Sequence, residues 1–441
     1  MKSTNYDVII IGGGITGTSL AYVLSNFTNI KKIALLEKYS QLSQVNSQRN
    51  NNSQTLHFGD IETNYSLEKA AKVKEAAEMV AKYITTIGKN EKLYHKTHKM
   101  VLAVGAEEIA QLEQRYEEFK QLFPKFKKIG RKEIAILEPN IVKDRDDREN
   151  ILALCTEDGY AVDYGKLSES FVSHATGSFN LFLNTKINKL NKTKNGYEIA
   201  TNNGLFEASV VVVCAGSHSL IFAQSLGYGK DFGLLPVAGS FYTSSKALNG
   251  KVYTLQIKKL PFAAIHGDPD VAQPEQTRFG PTAKVLPLLE RHRYNTISDF
   301  LKTSAFTLGG VLSLLKIVSD PIIFRYLIRN LMYDLPFIGK LFFLQEVKKI
   351  IPSMKASQIH LEKKIGGIRP QIVDTTKRQM NMGEAKIVGD NIIFNITPSP
   401  GASVCLKNAE NDTRKVIAFF NENYSFDKYS FNEKKFDKMF R

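Results

Sequence analysis

Three short stretches carry residue types able to do chemistry. His266 sits in "FAAIHGDPD", an apolar run opening into a turn with two acids, Asp268 and Asp270. An imidazole accepts a proton near neutral pH, and a neighbouring carboxylate orients it and raises its basicity. Arg369 sits in "GGIRPQ", where flanking glycines allow close backbone approach and Pro370 stiffens the exit. A guanidinium grips a carboxylate with two parallel N–H groups. The third stretch, "RNNNSQTLHFGDIETNY" (residues 49–65), leads a polar run into His57 and Gly59, and is too polar for a core strand.

Such groups need a frame, and the N-terminus supplies its most specific part. In "YDVIIIGGGITGTSLAYVLSN", Val8–Ile11 form a buried strand, Gly12, Gly14 and Gly17 follow in G-x-G-x-x-G spacing around Ile15 and Thr16, and "TSLAYVLSN" then reads as a helix. The glycines permit a tight turn and close approach to a pyrophosphate, and the helix end offers it free N–H groups. The strand "KKIALLEK" ends in Glu37, beside Lys38 and about 20 residues beyond the last glycine, where a carboxylate accepts ribose hydroxyls. Strand–helix alternation then breaks, unlike a nicotinamide domain. Two distant pieces complete the sheet: "ASVVVVCAGSHS", ending in Ala215 and Gly216, and "NIIFNITPSPGASVC", whose turn holds Gly401, Ala402 and Ser403. A nucleotide sheet assembled from discontinuous segments suits FAD.

The remaining sequence bounds the answer. A chain of 441 residues suggests two intimately packed domains. The expected fold is α/β: a Rossmann-like FAD-binding domain from residues 1–90, 150–230 and 360–420, and an antiparallel-sheet substrate domain with helices from 91–149 and 231–359, followed by a tail at 421–441. A helix is expected over 67–89 after Ser66, and hairpins at Asn195 and Asn203. The stretch 297–352 is apolar yet studded with basic residues. Leu308, Leu312 and Leu315 share a helical face, and Gly309, Gly310 and Pro321 interrupt it. It reads as a membrane-surface helix pair with Lys316, Arg325 and Arg329 toward anionic headgroups, or as a helical subdomain packed on the core. The net charge of +15 calls for an anionic partner. Nucleic acid is the weakest candidate, because no nucleic-acid-binding signature is present. Cys155, Cys214 and Cys405 are too scattered for a cluster or structural zinc, so no metal is expected and all three read as buried thiols. No secretory leader or membrane-spanning run is evident, so a cytoplasmic location is expected.

The segments "IIIGGGITG", "NNSQTLHFGDIETNY", "LPVAGSFY", "LPFAAIHGDPD", "RFGPTA", "GGIRPQ" and "TPSPGAS" together resemble the malate:quinone oxidoreductases of the FAD-dependent D-amino-acid-oxidase-like superfamily. The sister L-2-hydroxyglutarate dehydrogenases share several of these segments. The resemblance implies oxidation of L-malate to oxaloacetate, electron transfer to membrane quinone, and a peripheral place on the inner face of the cell membrane. It implies that Asn52, Ser53, Gln54 and Thr55 hydrogen-bond the cofactor and that His57 lies at the flavin ring. For this reaction His266 is the first candidate for the base, with His57 next. Arg369 is the carboxylate clamp, Arg278 a candidate for the second carboxylate, and Tyr65, Tyr242 and Gln54 candidate pocket residues. The alternatives are another 2-hydroxy-acid dehydrogenase or oxidase, or a flavin-dependent nucleic-acid-binding protein.

Overall fold

A computed structural model describes residues 4–87, 91–177, 179–256, 264–303, 307–335, 337–380, 385–397, 400–421, 423–428 and 430–431. Its first sheet has eight strands. At its centre lie five parallel ones, in the order Ile392–Ile396, Gly204–Val213, Thr4–Ile11, Ile33–Leu36 and Phe179–Phe182. The strand Thr4–Ile11 is apolar on both faces because both are covered. Val8 and Ile10 pack into one core with the helix Ile15–Phe27, whereas Ile9 and Ile11 join a second core with Tyr197 and Leu220. Hairpins form at both expected Asn-Gly turns, pairing Ile187–Thr193 with Gly196–Thr201, and that strand with Gly204–Val213.

The second eight-stranded sheet runs His360–Leu361, Tyr242–Ser245, Gln276–Gly280, His266–Pro269, Lys251–Thr254, Tyr94–Val104, Ile151–Val162 and Lys127–Gly130. All its pairings are antiparallel except that between Lys251–Thr254 and Tyr94–Val104. A four-stranded antiparallel sheet adds Lys284–Val285, Phe232–Ala238, Ile368–Asp374 and Gln379–Met380. The fold is thus the expected α/β type, a parallel sheet built from distant segments joined to antiparallel sheets and helices. Its boundaries differ from those expected at 150 and 360. Ile151–Val162 pairs along its length with Tyr94–Val104, and Ile368–Asp374 with Phe232–Ala238. The partners that fix their sheet are distant in the chain, and local composition does not show them.

The helix Leu67–Thr86 starts where Ser66 accepts a hydrogen bond from the Lys69 N–H. Ala70, Val73, Ala77, Val80 and Ile84 recur at helical spacing and are buried; the expected end at Gly88 lies outside the described residues. The stretch 297–352 forms four helices, Ile297–Lys302, Leu308–Val318, Pro321–Met332 and Gly339–Ile350. Gly309 and Gly310 do not interrupt a helix but form its first turn, where Thr307 accepts from the Gly310 N–H. Pro321 opens the next helix, capped by Asp320. Among the described residues no helix is long and apolar enough to cross a membrane.

Candidate active site

A cavity of about 480 Å³ lies where the three sheets meet. That falls within the roughly 300–1,000 Å³ of ligand pockets. Gly12, Gly14, Ile15, Thr16, Glu37, Lys38, Ala215 and Gly216 line one end. Gly12 has φ +112°, and a Cβ there would lie 2.5 Å from the Cys214 carbonyl oxygen, so the turn requires glycine. Gly17 lies beneath the turn against the Gly12 carbonyl. The N-cap Gly14 has no side chain to cap the helix that follows, whose first turn (Gly14, Ile15, Thr16) lines the cavity with its positive end. Glu37 Oε2 accepts from the Gly13 N–H at 2.6 Å and Oε1 from the Tyr39 N–H at 2.9 Å. Burial raises the Glu37 carboxyl pKa, opposed by these two amides. Lys38 and Tyr39 both bond Glu290, a wall residue from the segment leading into the apolar helices.

These residues fit a dinucleotide. The hydroxyls of Ser43 and Ser217, both in the wall and both buried, have no protein partner among the described residues. A ligand rich in hydroxyls and phosphate oxygens satisfies such groups.

The polar run 49–55, with Asn46 before it, is tied to the second eight-stranded sheet and to the segment entering the four-stranded one. Thr55 bridges to Ala161, the Val162 N–H donates to the Gln54 carbonyl and the Leu56 N–H to the Tyr160 carbonyl. The Gly366 N–H donates to Asn51 Oδ1 at 3.1 Å, and Asn46 bonds both backbone groups of Ile368. Gly366, at φ +107°, touches the Gly239 backbone, and the close approach the glycines allow is therefore between chain segments. Asn52, Ser53 and Thr55 line the cavity. Gln54 does not. Its φ is +55°, and its side chain turns away to Asp270 Oδ2 and the Val271 N–H.

Beyond the run, Arg369, His57, Gly401, Ala402 and Ser403 share the wall. The His57 N–H donates to Ser403 Oγ at 3.0 Å, and its ring Nδ1 pairs with Glu62. The groups whose charge bears on Arg369 are the phenols of Tyr326, Tyr65 and Tyr253, and no carboxylate pairs with it among the described residues. Burial lowers its pKa.

His266 lies outside the wall. It is 1% exposed and stacks on Tyr253 with ring centres 4.2 Å apart, and Nε2 sits 3.1 Å from Asp268. Lys251 also faces Asp268 and donates to Thr55 Oγ1 at 3.2 Å. Arg278 is buried behind the polar run, and Tyr242 stacks on Phe343 within the core and donates to the Tyr333 carbonyl. Tyr65 is half-buried and also outside the wall. Sequence reading passed over Tyr164, whose hydroxyl donates to the Thr55 carbonyl, and Ser47, which accepts from the Ile15 N–H. It also passed over Glu62 and Glu290. Glu290 bonds residues distant in the chain, and Glu62, five residues from His57, forms no recognised spacing with it.

A family profile described as "Malate:quinone oxidoreductase (Mqo)" matches residues 4–411. A probable malate:quinone oxidoreductase of Campylobacter jejuni is 43% identical over 98% of this chain and 99% of that protein. The malate:quinone oxidoreductase of Helicobacter pylori is 40% identical over 97% of each. Among solved structures, FAD-bound L-α-glycerophosphate oxidase from Mycoplasma pneumoniae superposes with a TM-score of 0.67 at 18% identity, covering 97% of both chains. The match over nearly the whole length, on a site that fits FAD, places this chain in the malate:quinone oxidoreductase family.

Proposed function

We propose that this protein oxidises L-malate to oxaloacetate at the Arg369–His57 end of the cavity and delivers the electrons to a membrane quinone. The observation that carries the reading is Arg369, a cavity-wall cation with which no carboxylate pairs among the described residues. A substrate carboxylate completes it. Bound FAD supplies the acceptor for the hydride leaving the carbinol carbon. His57 takes the hydroxyl proton, in preference to His266, because its ring lines the cavity and that of His266 does not. The fixed guanidinium holds the carbon in place while Thr55 and Ser53 close the wall and exclude water.

Electrons leave toward a lipid-phase acceptor. Of the 18 exposed large apolar side chains among the described residues, 14 lie between Ile297 and Phe342, an apolar surface of the kind that marks interaction sites. Lys316, Arg325 and Arg329 are exposed among them, as a peripheral contact with the anionic inner face of the cell membrane requires. The helix Pro321–Met332 joins this surface to the site. Ile322, Phe324, Ile328 and Leu331 face outward, while Tyr326 is close enough to Arg369 to feel its charge. Burial raises the Tyr326 phenol to about 12, against the pull of Arg369 and Arg329. Anaerobic L-malate should bleach the flavin and vesicles holding a quinone should restore its colour; no bleaching defeats the first half, and bleaching without reoxidation the second.

A further inference from the structure

Glu62 lies five residues after His57, and its carboxylate faces the ring. Its side chain is 6% exposed and Oε1 pairs with His57 Nδ1. Burial pushes its carboxyl pKa up, but the charge and hydrogen bond of His57 outweigh that and hold it below the usual range. As a carboxylate it is an acceptor for an Nδ1–H of that ring.

The loop bearing Glu62 is clamped from behind. Arg115 reaches it from the helix Ala106–Phe119 and donates through Nη2 to the carbonyls of Glu62 at 2.7 Å, Gly59 at 3.2 Å and Asp60 at 3.4 Å. Lys99 is fully buried, pairs with Asp60 at 2.8 Å and lies over the Phe58 ring at 4.4 Å. Two buried cations thus fix the two residues on either side of Ile61. Such anchoring is needed if a carboxylate is to hold an imidazole in one orientation rather than follow it.

We infer that Glu62 is the positioning residue of the reaction. It locks the Nδ1–H tautomer of His57, which presents Nε2 to the substrate as the proton acceptor, and it stabilises the imidazolium that results. The step balances: the substrate O–H bond breaks as the Nε2–H bond forms, and the carbinol C–H bond breaks as C=O forms, its electron pair leaving as hydride for which bound FAD would be the acceptor. The inference rests on the base role given to His57 above.

The test uses the holoenzyme with E62Q, H57N and the double variant. Anaerobic flavin reduction by L-malate should slow about 100-fold in E62Q, the lower end of what a general base contributes. Adding E62Q to H57N should cost nothing further, since a residue acting only through His57 has nothing left to position. Histidine ¹⁵N spectra should show His57 as the Nδ1–H tautomer in the unaltered protein and lose that preference in E62Q. An Nε2–H tautomer in the unaltered protein overturns the inference without any variant, and so does E62Q slowing H57N by the same factor as it slows the unaltered protein. A wild-type rate in H57N removes the base assignment itself. A large loss in H57N with none in E62Q removes only the role of Glu62.

Discussion

Arg278 donates through Nη2 to the carbonyl oxygen of Asn52 across 3.1 Å, and to that of Asn50 across 3.3 Å. Its guanidinium also faces Asp270 at 3.8 Å and lies over the Phe241 ring at 4.3 Å. It thereby props the polar run from behind. Replacing it with Met leaves two carbonyls and Asp270 without their cation. The expected loss is about 3–5 kcal/mol of stability, the cost of removing one partner of a buried pair. FAD content should fall with it. Urea unfolding and flavin content measure both. A variant as stable as the parent, with only a raised KM for malate, would make Arg278 a substrate ligand instead.

Glu37 answers to the Gly13 and Tyr39 amides in the strand-to-helix turn. Glu37→Gln replaces one acceptor oxygen with a donor and leaves an amide facing it. Hydrogen bonds to a charged group contribute about 1.5–3 kcal/mol, so FAD should bind roughly 10- to 100-fold more weakly. Quenching of flavin fluorescence on titration reads the Kd directly, and an unchanged value would take Glu37 out of the cofactor site.

Asp268 links the cavity's supporting layer to pH. Burial pushes its carboxyl pKa up, but Lys251 and His266 bring it down from 3.8 to about 2. A depressed folded pKa contributes stability above the unfolded value and loses it as pH falls through the folded one. About 2 kcal/mol should therefore disappear between pH 3.8 and about 2. Urea midpoints across that window should show the fall in the parent and not in Asp268→Asn.

The apolar surface makes a separable claim. Phe337 is 97% exposed and Leu315 59%. Each side chain placed in lipid contributes about 1.5–3 kcal/mol. Serine at either position should weaken sedimentation with anionic vesicles by roughly 10-fold or more, and both together multiplicatively. Reduction by malate in solution should not change. Equal sedimentation of parent and double variant would move the membrane contact elsewhere.

The sequence showed most where one element carries its own signal. Val8–Ile11, the glycine turn and Glu37 lie within one strand–helix–strand unit, and all but Gly17 of the expected residues from that unit line the cavity. Arg369 stood out between its glycines and Pro370, and His57 through the family resemblance, and both line the cavity. The support around them was not legible. Arg278, Gln54 and His266 have the residue types of a site but are turned to Asn52, Asp270 and Asp268 one layer behind it. Period and spacing fix which face of a strand a residue occupies, not whether a cavity or another segment covers that face. Glu290 and Tyr164 were missed for the converse reason, since only the tertiary fold brings them to the wall, and Glu62 because a Glu five residues after a His matches no regular period.

Arg369→Ala should leave FAD bound and weaken reduction by malate by about 2–5 kcal/mol, the range for truncating a buried charge partner. Arg369→Lys should recover part of this, because a point charge replaces a fork. Stopped-flow rates across malate concentrations separate lost affinity from lost positioning.

The most direct measurement mixes the purified protein with L-malate without oxygen and follows the visible absorbance of its flavin, with L-2-hydroxyglutarate and D-malate in parallel. Rapid bleaching by L-malate alone is the expected result. Bleaching by the five-carbon acid instead, or by none of the three with FAD in place, would contradict the account.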